Sequence, residues 1–124
     1  MAITLNHTIV HARDKRASAD FYAQVFGLED AVAFGPFLDV QTANGVTLAI
    51  LETDETFEPQ HYAFLVSNEE FDQVFGRIKA RGLEFWADPA CRLKGETNTH
   101  FGGRGVYFRD PGGHLLEIIT RPYG

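Results

Sequence analysis

Three side chains far apart along the chain, His7, His61 and Glu117, are of the types that together grip a divalent metal ion. His7 opens the run Leu5-Asn6-His7-Thr8-Ile9-Val10, and His61 opens His61-Tyr62-Ala63-Phe64-Leu65-Val66. Glu117 is flanked by Leu115, Leu116, Ile118 and Ile119. A carboxylate in an enclosed apolar strand is costly unless a cation or strong donors meet it. Two imidazoles on the same face supply that partner by binding the same ion. Three such ligands leave about three positions of an octahedron open to substrate, water or dioxygen. Nitrogen and oxygen donors without thiolate suit Fe, Mn, Ni or Zn as the divalent ion, and do not favour a structural thiolate zinc site. Each residue also has a plainer use: a strand histidine hydrogen-bonds in a core, and Glu117 pairs with Arg109 or Arg121. The constellation, and no single member of it, points to metal.

The elements that must position these groups recur twice, which makes the chain an internal repeat. Each half reads as a histidine-bearing strand, a helix, a Gly-Leu-Glu exit (Gly27-Leu28-Glu29 and Gly82-Leu83-Glu84) and a closing apolar strand after a glycine. The closing strands are Gly45-Val46-Thr47-Leu48-Ala49-Ile50-Leu51 and Gly113-His114-Leu115-Leu116-Glu117-Ile118-Ile119. Asp14 is placed to cap the first helix, whose apolar stripe is Phe21, Tyr22, Val25 and Phe26, with Gly27 as its left-handed stop. Ser67 and Glu70 form a capping-box signature for the second, whose stripe is Phe71, Val74, Phe75 and Ile78, with Gly82 as stop. Asn44-Gly45 marks a hairpin between strands at 37–43 and 45–51, and Asp110-Pro111-Gly112-Gly113 turns a strand near 105–109 into one near 114–120. Residues 52–59 read as an acidic linker, and 88–104 as the longest irregular stretch, a length that is usually functional or disordered. With period-two alternation, Val10, Phe64, Val66, Leu116 and Ile118 face the helices, while His7, His61 and Glu117 share the opposite face.

Composition removes several function classes. The chain has 124 residues, room for one domain built from a module at about 1–52 and another at about 60–124. Its 11 Lys and Arg against 17 Asp and Glu give a formal net charge of −6, without the basic footprint that nucleic acid or an anionic membrane surface requires. No apolar run approaches the ~20 residues of a spanning helix. The single cysteine, Cys91, forms no internal disulfide, so a cytoplasmic location is expected.

The ordered set Leu5-Asn6-His7-Thr8-Ile9-Val10, Ala19-Asp20-Phe21-Tyr22, Phe26-Gly27-Leu28, His61-Tyr62-Ala63-Phe64 and Asp110-Pro111-Gly112-Gly113-His114-Leu115-Leu116-Glu117 resembles the vicinal oxygen chelate superfamily. That superfamily includes glyoxalase I, extradiol dioxygenases, fosfomycin-resistance enzymes and bleomycin-binding proteins. The resemblance implies an α+β fold of two βαβββ modules in a cup-shaped, mostly antiparallel sheet, a metal held by strand residues, and a homodimer with modules possibly exchanged. It places His7, His61 and Glu117 at ligand positions and Ala49 where glyoxalase I carries a second glutamate that also moves the substrate proton. Alanine does neither, so glyoxalase I activity is not expected. Ile9 stands where fosfomycin enzymes present a hydroxyl to the phosphonate. For a dioxygenase, His11 or His100 would serve as acid–base.

Position nominates further groups. Tyr107 and Arg109 are expected beside Glu117, with Tyr107 and Glu117 itself as candidate catalytic groups, and Phe37, Asp39 and Gln41 on the matching face of the first half. Trp86 and the loop bearing Glu96, Asn98 and Arg104 are candidates to close over the mouth of the site. Arg104 or Arg121 would anchor a carboxylate or phosphonate; in the plainer reading both merely neutralise nearby acids. His114 is expected at the surface or in a turn. The leading expectation is a metal-dependent enzyme of dioxygenase, lyase or transferase type acting on a small oxygen-bearing substrate. The alternative is a non-catalytic small-molecule-binding protein of the bleomycin-binding kind.

Overall fold

The computed structural model describes residues 2–123 and resolves them into two compact units, Met1–Glu58 and Pro59–Gly124. The first contains β1 (His7–Ala12), α1 (Lys15–Phe26), β2 (Val32–Phe34), β3 (Phe37–Gln41) and β4 (Thr47–Glu52). The second contains β5 (His61–Leu65), α2 (Asn68–Ala80), β6 (Phe85–Trp86), β7 (Gly105–Arg109) and β8 (Leu115–Ile119), with a short 3-10 turn at His100–Gly102. Each unit is therefore a βαβββ module. Each carries a four-stranded mixed sheet, ordered β1-β4-β3-β2 in one and β5-β8-β7-β6 in the other. The first strand pairs parallel with the last, and the remaining pairs are antiparallel. This is the expected α+β fold, in two sheets, one to each module.

Local chemistry explains the elements. The Asp14 carboxylate accepts from the backbone N–H groups of Arg16 and Ala17 at 3.1 Å each, satisfying two orphan donors at the start of α1. Gly27 ends the helix at φ 68°, a conformation that penalises any residue with a Cβ. Ser67 Oγ accepts from Glu70 N while Glu70 Oε1 accepts from Ser67 N, so the capping box of α2 is complete. Between β3 and β4 the predicted Asn-Gly turn is present, closed by Thr42 N donating to Val46 O at 2.9 Å.

Alternation sorts the strands as expected. Val10, Leu38, Val40, Leu48 and Ile50 are buried on the face of the first sheet that meets α1. Val106, Phe108, Leu116 and Ile118 are buried on the corresponding face of the second, where Phe75 of α2 meets Phe85 of β6 edge to face at 5.0 Å. The opposite faces hold His7, Ile9, Asp39 and Ala49 in one unit and His61, Tyr107 and Glu117 in the other.

Residues 52–59 lead to the boundary between the two units and are tied down: Arg13 donates to Thr53 O and Glu55 O, and its guanidinium lies 4.6 Å from the Phe57 ring centroid. The 88–104 stretch is likewise organised. Asp88 accepts from Arg92 N and Leu93 N, and Asn98 bonds to Ala87 O and exchanges both backbone bonds with Gly105. Asp88 and Asn98 supply the side-chain acceptors and donors that a loop without its own ladder needs. No helix among the described residues is long and apolar enough to cross a membrane.

Candidate metal centre

Glu117 sits on β8 with its side chain fully buried. His61, on the neighbouring edge strand β5, is in register with Leu115 and so shares the face of Glu117. Its Nε2 lies 3.1 Å from Glu117 Oε1, and its Nδ1 lies 3.0 Å from the backbone carbonyl of Leu115. The carbonyl oxygen only accepts, so Nδ1 carries a proton. Nε2 faces a carboxylate oxygen, a contact that an Nε2 proton or a metal ion held by both groups satisfies. Anchoring one imidazole nitrogen on a backbone carbonyl, with the other free to ligate, is the arrangement that orients metal-binding histidines. The donor set fits a divalent ion.

The remaining carboxylate oxygen, Oε2, accepts from the Tyr123 hydroxyl. Tyr107, directly across from Glu117 on β7, stacks on the His61 ring at 5.9 Å, and its hydroxyl lies 3.2 Å from that of Tyr123. Burial, then the hydrogen bonds with Tyr123 and Glu117, push the Tyr107 phenol far above its usual range. Burial and the bond to Glu117 also raise that of Tyr123. Both phenols therefore stay protonated and available as donors. Trp86 of β6 is in register with Tyr107, and Arg109 lies over its ring at 5.8 Å.

In the first unit, His7 is exposed and its Nδ1 lies 2.7 Å from Asn6 Oδ1, which again leaves Nε2 as the lone-pair nitrogen. A pocket of about 250 Å³ adjoins it, lined by His7, Ile9, Phe34, Phe37, Asp39 and Ala49 among others. Ala49 pairs with Asp39 as Glu117 pairs with Tyr107. Of the three expected ligands, His61 and Glu117 meet, and His7 belongs to the other unit. Among the described residues no group of three His, Cys, Asp or Glu side chains gathers at one point.

The other candidates distribute as follows. Glu117 is paired with His61, not with Arg109, which donates to Gly113 O at 3.2 Å and to Cys91 Sγ at 3.5 Å. Trp86 is a buried residue of β6 and not part of the 88–104 loop. His11 stacks on Phe57 at 5.6 Å, and Arg121 is exposed. His114 is fully buried, contrary to expectation, with Nδ1 accepting from Gln60 N at 2.9 Å and its ring against Tyr62. It fixes the residue preceding His61. Tyr123 escaped the sequence reading: it lies past Pro122 in a segment without periodicity, and its proximity to Glu117 was its only available signal.

Arg104 follows the plainer of its two readings, pairing with a nearby acid. Its guanidinium is committed to α2, donating to Asp72 Oδ1 at 2.7 Å, to Asn68 Oδ1 and to Asn68 O, and it lies 4.4 Å from the Phe71 ring centroid. It fastens the loop to the helix. Arg104→Ala is expected to lower the melting temperature at neutral pH without changing small-ligand affinity. The Arg104 hydrogen bond holds the Asp72 carboxyl below its ordinary value of 3.8. A depressed folded-state pKa stabilises above the unfolded value and loses its contribution as pH falls through the lower folded one. The gap between the two proteins should thus narrow in melting scans taken below pH 3.8.

With this geometry established, comparison assigns the chain to a class. A profile of the Glyoxalase/Bleomycin resistance protein/Dioxygenase superfamily matches residues 4–118, and the chain belongs to that superfamily. Among solved structures, Oxidase ChaP-H1 superposes with a TM-score of 0.97 at 58% identity, covering 99% of both chains. The fosfomycin resistance protein FosX of Listeria monocytogenes is 29% identical over 126 residues, covering 92% of this chain and 86% of its own. The metallothiol transferase FosB of Shouchella clausii is 30% identical over 122 residues, covering 94% and 79%. These relatives are named as resistance proteins, transferases and oxidases, enzymatic company within the superfamily.

Proposed function

We propose that the chain is a metal-dependent oxidase acting on a small, oxygen-bearing aromatic substrate. His61 and Glu117 hold the ion, with His7 as third donor from the same chain or from a second copy. The observation that carries this is His61 Nε2 facing Glu117 Oε1 at 3.1 Å with Nδ1 anchored on Leu115 O. A bound divalent ion supplies Lewis-acid stabilisation of substrate oxygen and, if redox-active, reaction with dioxygen. The chain does the rest. Tyr123 and Tyr107 hold protons beside Glu117 and keep the carboxylate oriented. In the first unit, Phe37 offers a flat apolar wall to the pocket beside His7.

The oxidase reading is favoured over thiol transfer to a phosphonate on three counts. Identity to Oxidase ChaP-H1 is 58%, against 30% to FosB. Ile9 offers no hydroxyl, and Arg104 is spent on α2. The homodimer belongs to the same proposal: Val32, Phe34 and Leu65 are exposed apolar side chains that a second copy would cover.

The test is metal analysis of protein purified without chelator, beside oxygen-electrode assays with phenols, catechols and hydroxyquinones. Near-stoichiometric metal and oxygen uptake, both lost in His61→Ala, are expected. Sub-stoichiometric metal that ignores the substitution, or metal-dependent opening of fosfomycin without oxygen uptake, would overturn the reading.

A further inference from the structure

The first module contains a carboxylate that its own packing does not satisfy. Asp39 interrupts the apolar run Phe37-Leu38-Asp39-Val40 on β3, between buried Leu38 and Val40. Its Oδ1 is buried and has no hydrogen-bond partner among the described residues. Buried polar atoms are nearly always paired, and an unpaired one signals a partner that arrives from outside the fold. Asp39 does not stand in a closed core: it lines the pocket of about 250 Å³ together with Ile9, Phe34 and Phe37. The neighbour directly across the strand pair is Ala49, only 5% exposed, whose methyl group leaves the space before the carboxylate open. In the second module the same cross-strand pair is Tyr107 and Glu117, so the acid has moved from the last strand to the one beside it.

We infer that Asp39 is a specificity-determining carboxylate that accepts a hydrogen bond from a hydroxyl group on a planar aromatic ligand seated in this pocket. The hydroxyl supplies a donor for Oδ1, while the ring meets the apolar part, Ile9, Phe34 and Phe37, of a lining that also includes Asn6, His7 and Thr47. Recognition of this kind is sharp, because an analogue lacking the donor leaves the buried acceptor unpaired. The pocket is at the small end of the ~300–1,000 Å³ common for ligand sites, which suits one or two rings. The inference deepens the aromatic-substrate reading above and rests on it, but it does not need the metal.

Binding of 2-naphthol and of its methyl ether, 2-methoxynaphthalene, to the full chain tests it, in chelator-treated protein and in His61→Ala, by calorimetry. Removing metal from the measurement separates this inference from the oxidase proposal. Wild type should bind the naphthol more tightly than the ether by roughly tenfold or more, the effect of one hydrogen bond to a charged acceptor. Asp39→Ala should erase that preference while leaving ether affinity within a few-fold. Equal affinities in wild type, no binding of either, or a preference that survives Asp39→Ala would each overturn it. If Asp39→Ala fails to fold, the wild-type comparison, with Phe37→Ala expected to weaken both ligands alike, still decides.

Discussion

Glu117→Ala is expected to release bound divalent metal and abolish metal-dependent turnover. The loss of metal affinity should exceed the roughly 10–100-fold that follows removal of an outer-shell partner. Tyr123→Phe, which removes only the donor to Glu117 Oε2, should fall within that smaller range. Equilibrium dialysis against a coloured metal indicator measures both. The two effects differ in size because Glu117 contributes a full negative charge facing His61, whereas Tyr123 contributes a dipole to an oxygen already held. The double variant His61→Leu with Glu117→Leu sharpens the comparison. Replacing both members of a buried ion pair by hydrophobes is often neutral or stabilising by about 1–4 kcal/mol, and the Glu117 side chain is fully buried. A double-leucine variant that melts no lower than wild type yet holds no metal would show that the pair is kept for chemistry. A variant that retains metal would refute the assignment.

Phe108→Ala should produce the largest loss of stability of any single truncation considered. The ring is fully buried and stands in register between Phe85 and Leu116, on the face of the second sheet that carries the core. Removing a buried aromatic side chain costs about 3–5 kcal/mol, the lost transfer free energy plus the cavity left behind. Against a total of ~5–15 kcal/mol for an ordinary domain, that is a large fraction. Urea unfolding should show a lowered midpoint with an unchanged slope. Ile3→Ala is the control. Its side chain is 99% exposed, and the change is expected to fall within about ±0.5 kcal/mol, as for surface sites generally.

Much of the architecture could be read from residues alone, because the deciding interactions are local. Asp14, Gly27, Ser67 with Glu70, Asn44-Gly45 and Asp110-Pro111-Gly112-Gly113 act within a few positions of themselves, and each does in space what its chemistry implies. Alternation put Val10 and Leu116 under the helices and Glu117 on the far face for the same reason. The short strands β2 and β6 are implied by the βαβββ resemblance, but no local pattern marks their residues. Two or three residues carry no period, and they are strands only because β3 and β7 offer them a ladder. Within the candidate site, His61 and Glu117 were legible as an imidazole and an acid in apolar strands. Asp39 gives the same signal, an acid between apolar neighbours, and was placed on the correct face. Long-range partners were not legible. Arg104 reaches Asp72 across 32 positions and His114 meets Gln60 across 54, and nothing in their immediate neighbours announces it.

The parallel pairing of β1 with β4, and of β5 with β8, has a consequence for how the chain is made. The strand carrying each histidine is the first of its module to leave the ribosome, and its ladder partner is the last. Neither sheet closes until its final strand has emerged. Nascent β5 therefore waits with an open edge throughout the synthesis of α2, β6 and β7. A premature stop before Leu115 would leave both β5 and β7 without the strand that joins them, delivering a polypeptide with added free templates for aggregation and no acid for its imidazole.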